Sequence, residues 1–231
     1  MGRAKRADDG GMVFHVLNRA NARATIFGKP EDYAALVRVL SETLDRVDMR
    51  VLSYCLMPNH WHLVLWPRRD GDLSKFMGWL TPTHTQRWHA HHRTTGTGHL
   101  YQGRFKSFPI QDDEHFLTVC RYVERNALRA KLVKRAEDWL WSTLLSHRQQ
   151  RDEFAQRVLS AWPVPCPRQW LQQVNHSQPD AEVVALRRSV NRGAPFGDAD
   201  WTKRIVKRLG LEVTLRPRGR PKLATDINNG S

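Results

Sequence analysis

The run CLMPNHWHLVLWP, Cys55 to Pro67, carries two histidines two positions apart in an otherwise apolar stretch. Residues 62–66 have the composition of a buried strand, closed by Pro67. Strand side chains alternate faces, so His60, His62, Val64 and Trp66 share one face and Trp61, Leu63 and Leu65 the other. Two imidazoles on one face lie roughly 6.5–7 Å apart at Cα, close enough for both rings to reach one metal ion. The plainer reading is a hydrogen-bonded histidine pair, and a pattern as short as His-x-His does not separate the two. A second pair lies in EHFLTVCRYVERNALRA. There Phe116, Val119, Cys120, Val123 and Ala127 form one helical stripe suited to a core. Tyr122 and Asn126, four apart, lie one above the other on an adjacent face. Of the four tyrosines, Tyr33 belongs to an apolar helical stripe, Tyr54 is mid-strand and Tyr101 lies in a glycine-containing loop. Only Tyr122 stands on a helix with a metal-capable amide one turn away. Its plainer reading is a half-buried tyrosine bonded to a neighbour.

The elements that must position these groups follow from periodicity. Residues 12–18 and 49–57 read as strands, Pro58-Asn59 as a turn, and the histidine run as the third strand, antiparallel to the second. KSFPI reads as a fourth strand. Helices are expected over about 31–45, where Tyr33, Leu36, Val37, Leu40 and Leu44 keep helical spacing, over 72–92 with Pro82 kinking or splitting it, and over about 112–132. The order β-α-β-β-α-β-α is that of a ferredoxin-like split βαβ antiparallel sheet with an added helix, an α+β fold. Beyond Trp141 the chain turns polar. Residues 144–160 are expected to be helical and 162–167 to be a proline-rich linker. Two further helices are expected over about 179–191 and 198–209, the second capped by Asp198 and ended by Gly210. The division that results is a catalytic domain over 1–145, a helical C-terminal extension over 146–213 and a basic tail over 214–231.

The 231 residues carry 37 Lys and Arg against 23 Asp and Glu, a formal charge of +14. Such a balance suits a polyanionic partner. No apolar run of about 18 residues is present and the N-terminus is polar, so a membrane is not expected. Three cysteines without C-x-x-C spacing suit a reducing cytoplasm. His84, His89, His91, His92 and His99 form a loose patch without a zinc pattern, read as a solvated, weakly basic face.

Five segments, FHVLNRANARATIF, SYCLMPNHWHLVLWP, GHLYQGRFKSF, CRYVERNALRAKLV and the RGRPK tail, stand together in an order that resembles the HUH single-strand endonucleases. More narrowly they resemble the single-tyrosine transposases and their REP-associated tyrosine transposase branch. The resemblance implies His60 and His62 as metal ligands with Asn126 as the third, Tyr122 as nucleophile, and Mg²⁺ or Mn²⁺ as the cofactor. It implies cleavage of single-stranded hairpin DNA through a covalent 5′-phosphotyrosine with a free 3′-OH. Three departures stand out: Arg19-Ala20-Asn21 where the family reads Arg-Gly-Asn, Asn126-Ala127 for Asn-Pro, and Ala130-Lys131-Leu132 for Ala-Gly-Leu. Ala127 lets the helix run on where proline would break it.

For DNA binding, Arg104 and Lys106 suit phosphate contacts, and Tyr101 and Phe105 suit stacking on unpaired bases, with ordinary loop packing as the alternative. The tail cations Arg216, Arg218, Arg220 and Lys222 resemble an AT-hook core, whose arginines enter a narrow minor groove. The rival from another class is a DNA-binding regulator that keeps the fold but does not cut. A sibling replication or conjugation nickase and a simple metal-dependent hydrolase are further alternatives. The expected location is the cytoplasm, at the nucleoid. The long C-terminal extension favours a monomer over a dimer.

Overall fold

The computed structural model describes residues 7–144 and 158–216. Four strands, β1 (Val13–Arg19), β2 (Met49–Met57), β3 (His60–Pro67) and β4 (Lys106–Ile110), form one antiparallel sheet in the order β2-β3-β1-β4. Helix α1 (Pro30–Leu44) connects β1 to β2, and α2 (Asp72–His92) connects β3 to β4. This is the split βαβ arrangement, with the α+β composition expected of it.

The sheet separates two cores. On one face Phe14, Val16, Trp61, Leu63 and Leu65 pack against Leu36, Val39 and Leu40 of α1 and Leu73, Phe76, Met77 and Leu80 of α2. On the other, Val13, Cys55, Met57, Val64, Phe108 and Ile110 pack against Phe116, Val119, Cys120 and Val123. A bulge between Val51 and Ser53 changes the phase of β2. Val51 therefore faces the first core, Leu52 and Cys55 the second, and Tyr54 and Leu56 the first again. One extra residue reverses which parity of the strand points inward.

Pro82 does not split α2; the helix continues through it to His92. The third expected helix is two. Helix α3 (Glu114–Glu124) opens on Asp113, whose carboxylate accepts from the His115 backbone N–H, and ends at Arg125, which stays right-handed at ψ −3°. Helix α4 (Asn126–Arg129) follows at once. The break falls where the Arg125 guanidinium reaches the carbonyls of Val174 and Asn175. Those are the last residues of α5 (Trp170–Asn175), whose terminal carbonyls lack helical partners. Ala127 thus removes the proline but not the interruption.

Three more helices follow, α6 (Asp180–Arg192), α7 (Ala199–Leu209) and the short α8 (Glu212–Leu215). Asp198 caps α7 by accepting from Trp201 N–H, and Gly210 ends it at φ +64°. The expected helix over 144–160 lies mostly outside the described residues. The later segments pack onto the sheet rather than apart from it. Isolated bridges join Val51 to Leu159, Cys55 to Ser142 and Ile110 to Phe196, so both edge strands, β2 and β4, are engaged by following chain. Among the described residues no helix is long and apolar enough to cross a membrane.

Candidate active site

His60 and His62 enter β3 from the Pro58-Asn59 turn and point to the face that carries α3. Their ring centroids are 5.1 Å apart, nearly perpendicular. The Tyr122 ring meets His62 edge-on at 6.0 Å. Strand and helix thus place the three side chains together. His60 has a defined tautomer. Its Nδ1 lies 2.6 Å from Asn59 Oδ1, which only accepts, so Nδ1 carries the proton and Nε2 keeps a lone pair.

His62 is held by a residue that the sequence reading missed. His15, on the neighbouring strand β1, brings its Nε2 to 2.8 Å from His62 Nδ1. With His62 Nδ1–H donating to His15, the His62 Nε2 is left free as a ligand. That is the orientation a partner behind a metal-binding histidine provides. A histidine inside the apolar run VFHVLN was the available signal; its partner lies 47 residues away.

Arg129 is a second such residue. Its guanidinium carbon sits 4.0 Å from the Tyr122 ring centroid, and its Nη2 donates to Asn126 Oδ1 at 2.9 Å. Arginine only donates, so the Asn126 atom facing it is the oxygen. That oxygen retains a second lone pair, while Asn126 Nδ2 is buried without a hydrogen-bond partner. Tyr122, Asn126 and Arg129 follow an i, i+4, i+7 spacing, which marks one helical face. Two imidazole nitrogens and one amide oxygen make a donor set that suits a divalent ion of Mn²⁺ or Mg²⁺ type.

The site is electrostatically poised for neutral histidines. Burial pushes His15 down to about 3 and His60 down to about 4, with Arg19 and Arg129 adding to the effect. Burial, then the neighbouring histidines and arginines, holds His62 well below its ordinary value. Unfolding releases these groups to a value near 6.5. The unfolded chain therefore binds more protons below that pH, and stability falls as pH drops from about 6.5 toward the folded values. Tm followed by circular dichroism is expected to decline already between about pH 6.5 and 5, above the main carboxylate range. A flat Tm across that interval would contradict the buried neutral histidines.

Other expected contacts distribute unevenly. Arg104 and Lys106 are exposed and line a cleft of about 490 Å³ together with Asn18, Arg19, Phe105 and Arg192. Arg19 pairs in register with His60, so the cleft adjoins the histidines. Tyr101 is corrected: it is buried, its hydroxyl accepting from Trp61 Nε1 at 2.9 Å and lying 2.8 Å from His84 Nδ1. No free ring face remains for a base, because the loop after α2 folds its aromatic residues into the first core. Phe105 is buried likewise. Arg216 is exposed at the end of α8; Arg218, Arg220 and Lys222 lie outside the described residues.

The family model described as "Transposase IS200 like" matches residues 10–126 of the chain. The chain belongs to the IS200-like transposase family, whose members generally use a divalent metal ion. Its fold is similar to that of a REP-associated tyrosine transposase solved bound to a REP hairpin. The TM-score is 0.53 at 17% identity, covering 67% of this chain and 90% of the other. A putative transposase from Deinococcus radiodurans overlaps with a TM-score of 0.39 at 17% identity, over 54% of this chain and 95% of that one. No curated protein matches the chain.

Proposed function

We propose that the protein is a single-stranded DNA endonuclease and strand transferase that cleaves at hairpin DNA with Tyr122 as nucleophile. The observation that carries this reading is the edge-on approach of Tyr122 to His62, with Arg129 joining Tyr122 to Asn126. His60 Nε2, His62 Nε2 and Asn126 Oδ1 would hold the divalent ion. When bound, such an ion supplies charge neutralisation at the non-bridging oxygens of the scissile phosphate.

The chain's own groups do the rest. Tyr122 Oη gives up its proton to water and attacks phosphorus; a phosphotyrosine bond forms, the P–O3′ bond breaks, and the released 3′ oxygen takes up a proton, so none is gained or lost overall. Arg129 places positive charge against the phenol ring, where it would help offset the negative charge of the phosphate under attack. The phosphoester bond is conserved in the adduct, so a 3′-OH can reverse the step on another strand. That reversibility separates a strand transferase from a hydrolytic nuclease. The REP hairpin bound by the solved relative is the class of DNA proposed here. The proposed setting is the cytoplasm, at the nucleoid.

The cleft adjoining His60 is the proposed path for the strand. Arg104→Ala and Lys106→Ala are each expected to weaken single-strand binding and to flatten the log–log salt slope by about 0.7, one phosphate contact apiece. Fluorescence anisotropy across a salt series reads this directly. An unchanged slope in both variants would move the strand to another surface.

The test of the function is a denaturing gel of protein with labelled single-stranded hairpins from repeats flanking its own gene, with Mg²⁺ or Mn²⁺. A labelled band at the protein's mass that chelator removes supports the proposal. Tight binding without an adduct or a cut strand, across several hairpins, supports the non-cutting DNA-binding protein instead.

A further inference from the structure

A second constellation lies on the opposite face of the sheet from Tyr122. The first turn of α1 and the last turn of α2 bring Asp32, His91 and His92 together, with one ligand atom from each within 4.8 Å of the others. The sequence reading took this region as a solvated basic face. That is correct for exposed His99 but not for His92, which is half-buried against Asp32, nor for His84, which is buried. We propose that Asp32, His91 and His92 form a transition-metal site of the Zn²⁺ class, distinct from the proposed His60–His62–Asn126 centre.

The Trp88 carbonyl sets the tautomer of His92. Its Nδ1 lies 2.9 Å from the Trp88 carbonyl oxygen, an atom that only accepts, so Nδ1 bears a proton. The ring is stacked on Trp88 at 4.0 Å and 17°, which fixes its plane. Its Nε2 then points at Asp32 Oδ1, 3.3 Å away. That contact sets the imidazole nitrogen against a carboxylate oxygen, a pairing that holds with a proton or a metal ion between them. Imidazole with Nδ1–H on a backbone carbonyl and Nε2 toward the ion is a recurring arrangement of zinc-ligating histidine.

Asp32 is committed in a compatible way. It is 5% exposed, and its Oδ2 accepts from the backbone N–H groups of Gly28 and Lys29 at 2.9 and 3.2 Å. Those bonds anchor the carboxylate at the start of α1 and leave Oδ1 free toward the histidines. Tetrahedral zinc with ligands at about 2.0–2.1 Å requires ligand atoms roughly 3.3–3.4 Å apart. The Asp32–His92 spacing already meets that requirement. His91 is exposed, and one of its ring nitrogens lies within 4.8 Å of the Asp32 and His92 ligand atoms. The C-terminal end of α2 adds the negative potential of the helix dipole at the same place. Three protein ligands leave a fourth position for water. An ion there clips α1 to α2 at the point where the chain departs toward Tyr101 and Arg104.

The test uses the full-length protein carrying His60→Ala and His62→Ala, so that zinc bound at the other centre does not contribute. After chelator treatment, Zn²⁺ is titrated against a chromophoric competitor and Tm is recorded at each concentration. About one equivalent is expected, with Tm rising as zinc is added. Adding His91→Gln is expected to weaken affinity by at least about 100-fold and to remove the Tm response. His91 is exposed, so this variant tests the site without disturbing the core; Asp32→Asn and His92→Gln are expected to do the same. Absence of zinc binding in the double variant, or binding that His91→Gln and His92→Gln leave unchanged, would overturn the site. The Asp32–His92 contact would then be a proton-mediated ion pair.

Discussion

Tyr122→Phe is expected to abolish the covalent protein–DNA adduct and to slow strand cleavage at least about 1000-fold, while hairpin affinity stays within about twofold. The substitution deletes one oxygen. The ring keeps its edge contact with His62 and its place under the Arg129 guanidinium, and it stays in the second core beside Val119 and Val123. Fold and binding surface are therefore retained, and the loss falls on the step that needs a nucleophile. Removing a catalytic nucleophile in a well-built site costs orders of magnitude in rate without a matching loss of binding. A denaturing gel gives the adduct, a single-turnover time course gives the rate, and anisotropy gives the affinity. Cleavage by Tyr122→Phe at the wild-type rate would end the tyrosine mechanism and point to water as the attacking group.

The second large effect is on stability. Glu124 lies two residues after Tyr122 and is fully buried. Its Oε1 accepts from Ser53 Oγ at 3.0 Å and Thr143 Oγ1 at 2.8 Å, and its Oε2 accepts from Trp170 Nε1 at 2.7 Å. One side chain thus ties α3 to β2, to the segment after α4, and to α5. Glu124→Ala strands the buried Trp170 indole N–H, takes one acceptor from the Ser53 and Thr143 hydroxyls, which still bond each other, and leaves a cavity. We expect a loss of about 2–4 kcal/mol from these causes. Glu124→Gln keeps one acceptor oxygen but presents an N–H₂ group to donors, and a loss of about 1–2 kcal/mol is expected. Urea unfolding followed by tryptophan fluorescence measures both. A loss under about 0.5 kcal/mol for Glu124→Ala would mean that water replaces the carboxylate at little cost. The same network predicts that a chain cut at residue 145 loses the Trp170 partner of a carboxylate beside the candidate nucleophile.

Local pattern carried most of the fold. The β2 and β4 segments were legible from β-rich composition between turn residues, and α1 from apolar spacing. Asp198 and Gly210 were legible as caps because their chemistry is local. What escaped was non-local. The role of His15 depends on β1 pairing with β3; the run VFHVLN marks a histidine among apolar residues but not its partner. The break at Arg125 coincides with its bonds to carbonyls some fifty residues later. The burial of Tyr101 depends on Trp61 and His84, which a loop of glycines and polar residues does not advertise. The short helices α5 and α8 are too brief for periodicity to register. At the candidate site spacing showed the His60–His62 and Tyr122–Asn126 pairs separately, and only the family resemblance joined them. Arg129 shares the helical face of Tyr122 and Asn126, and only the geometry reveals that it touches both.

The bridges on the outer strands bear on how the chain is made. Val51 waits for Leu159, Cys55 for Ser142, and Ile110 for Phe196. Each partner is translated about 90–110 residues after the strand it covers, a lag of roughly 5–20 s at ordinary elongation rates. Until then the nascent sheet offers two bare rims of backbone N–H and C=O groups, open to pairing with other chains. A ribosome that pauses between the codons for Ile110 and Phe196 prolongs that exposure. The later helices thus also end a period in which the newborn protein is most prone to aggregate.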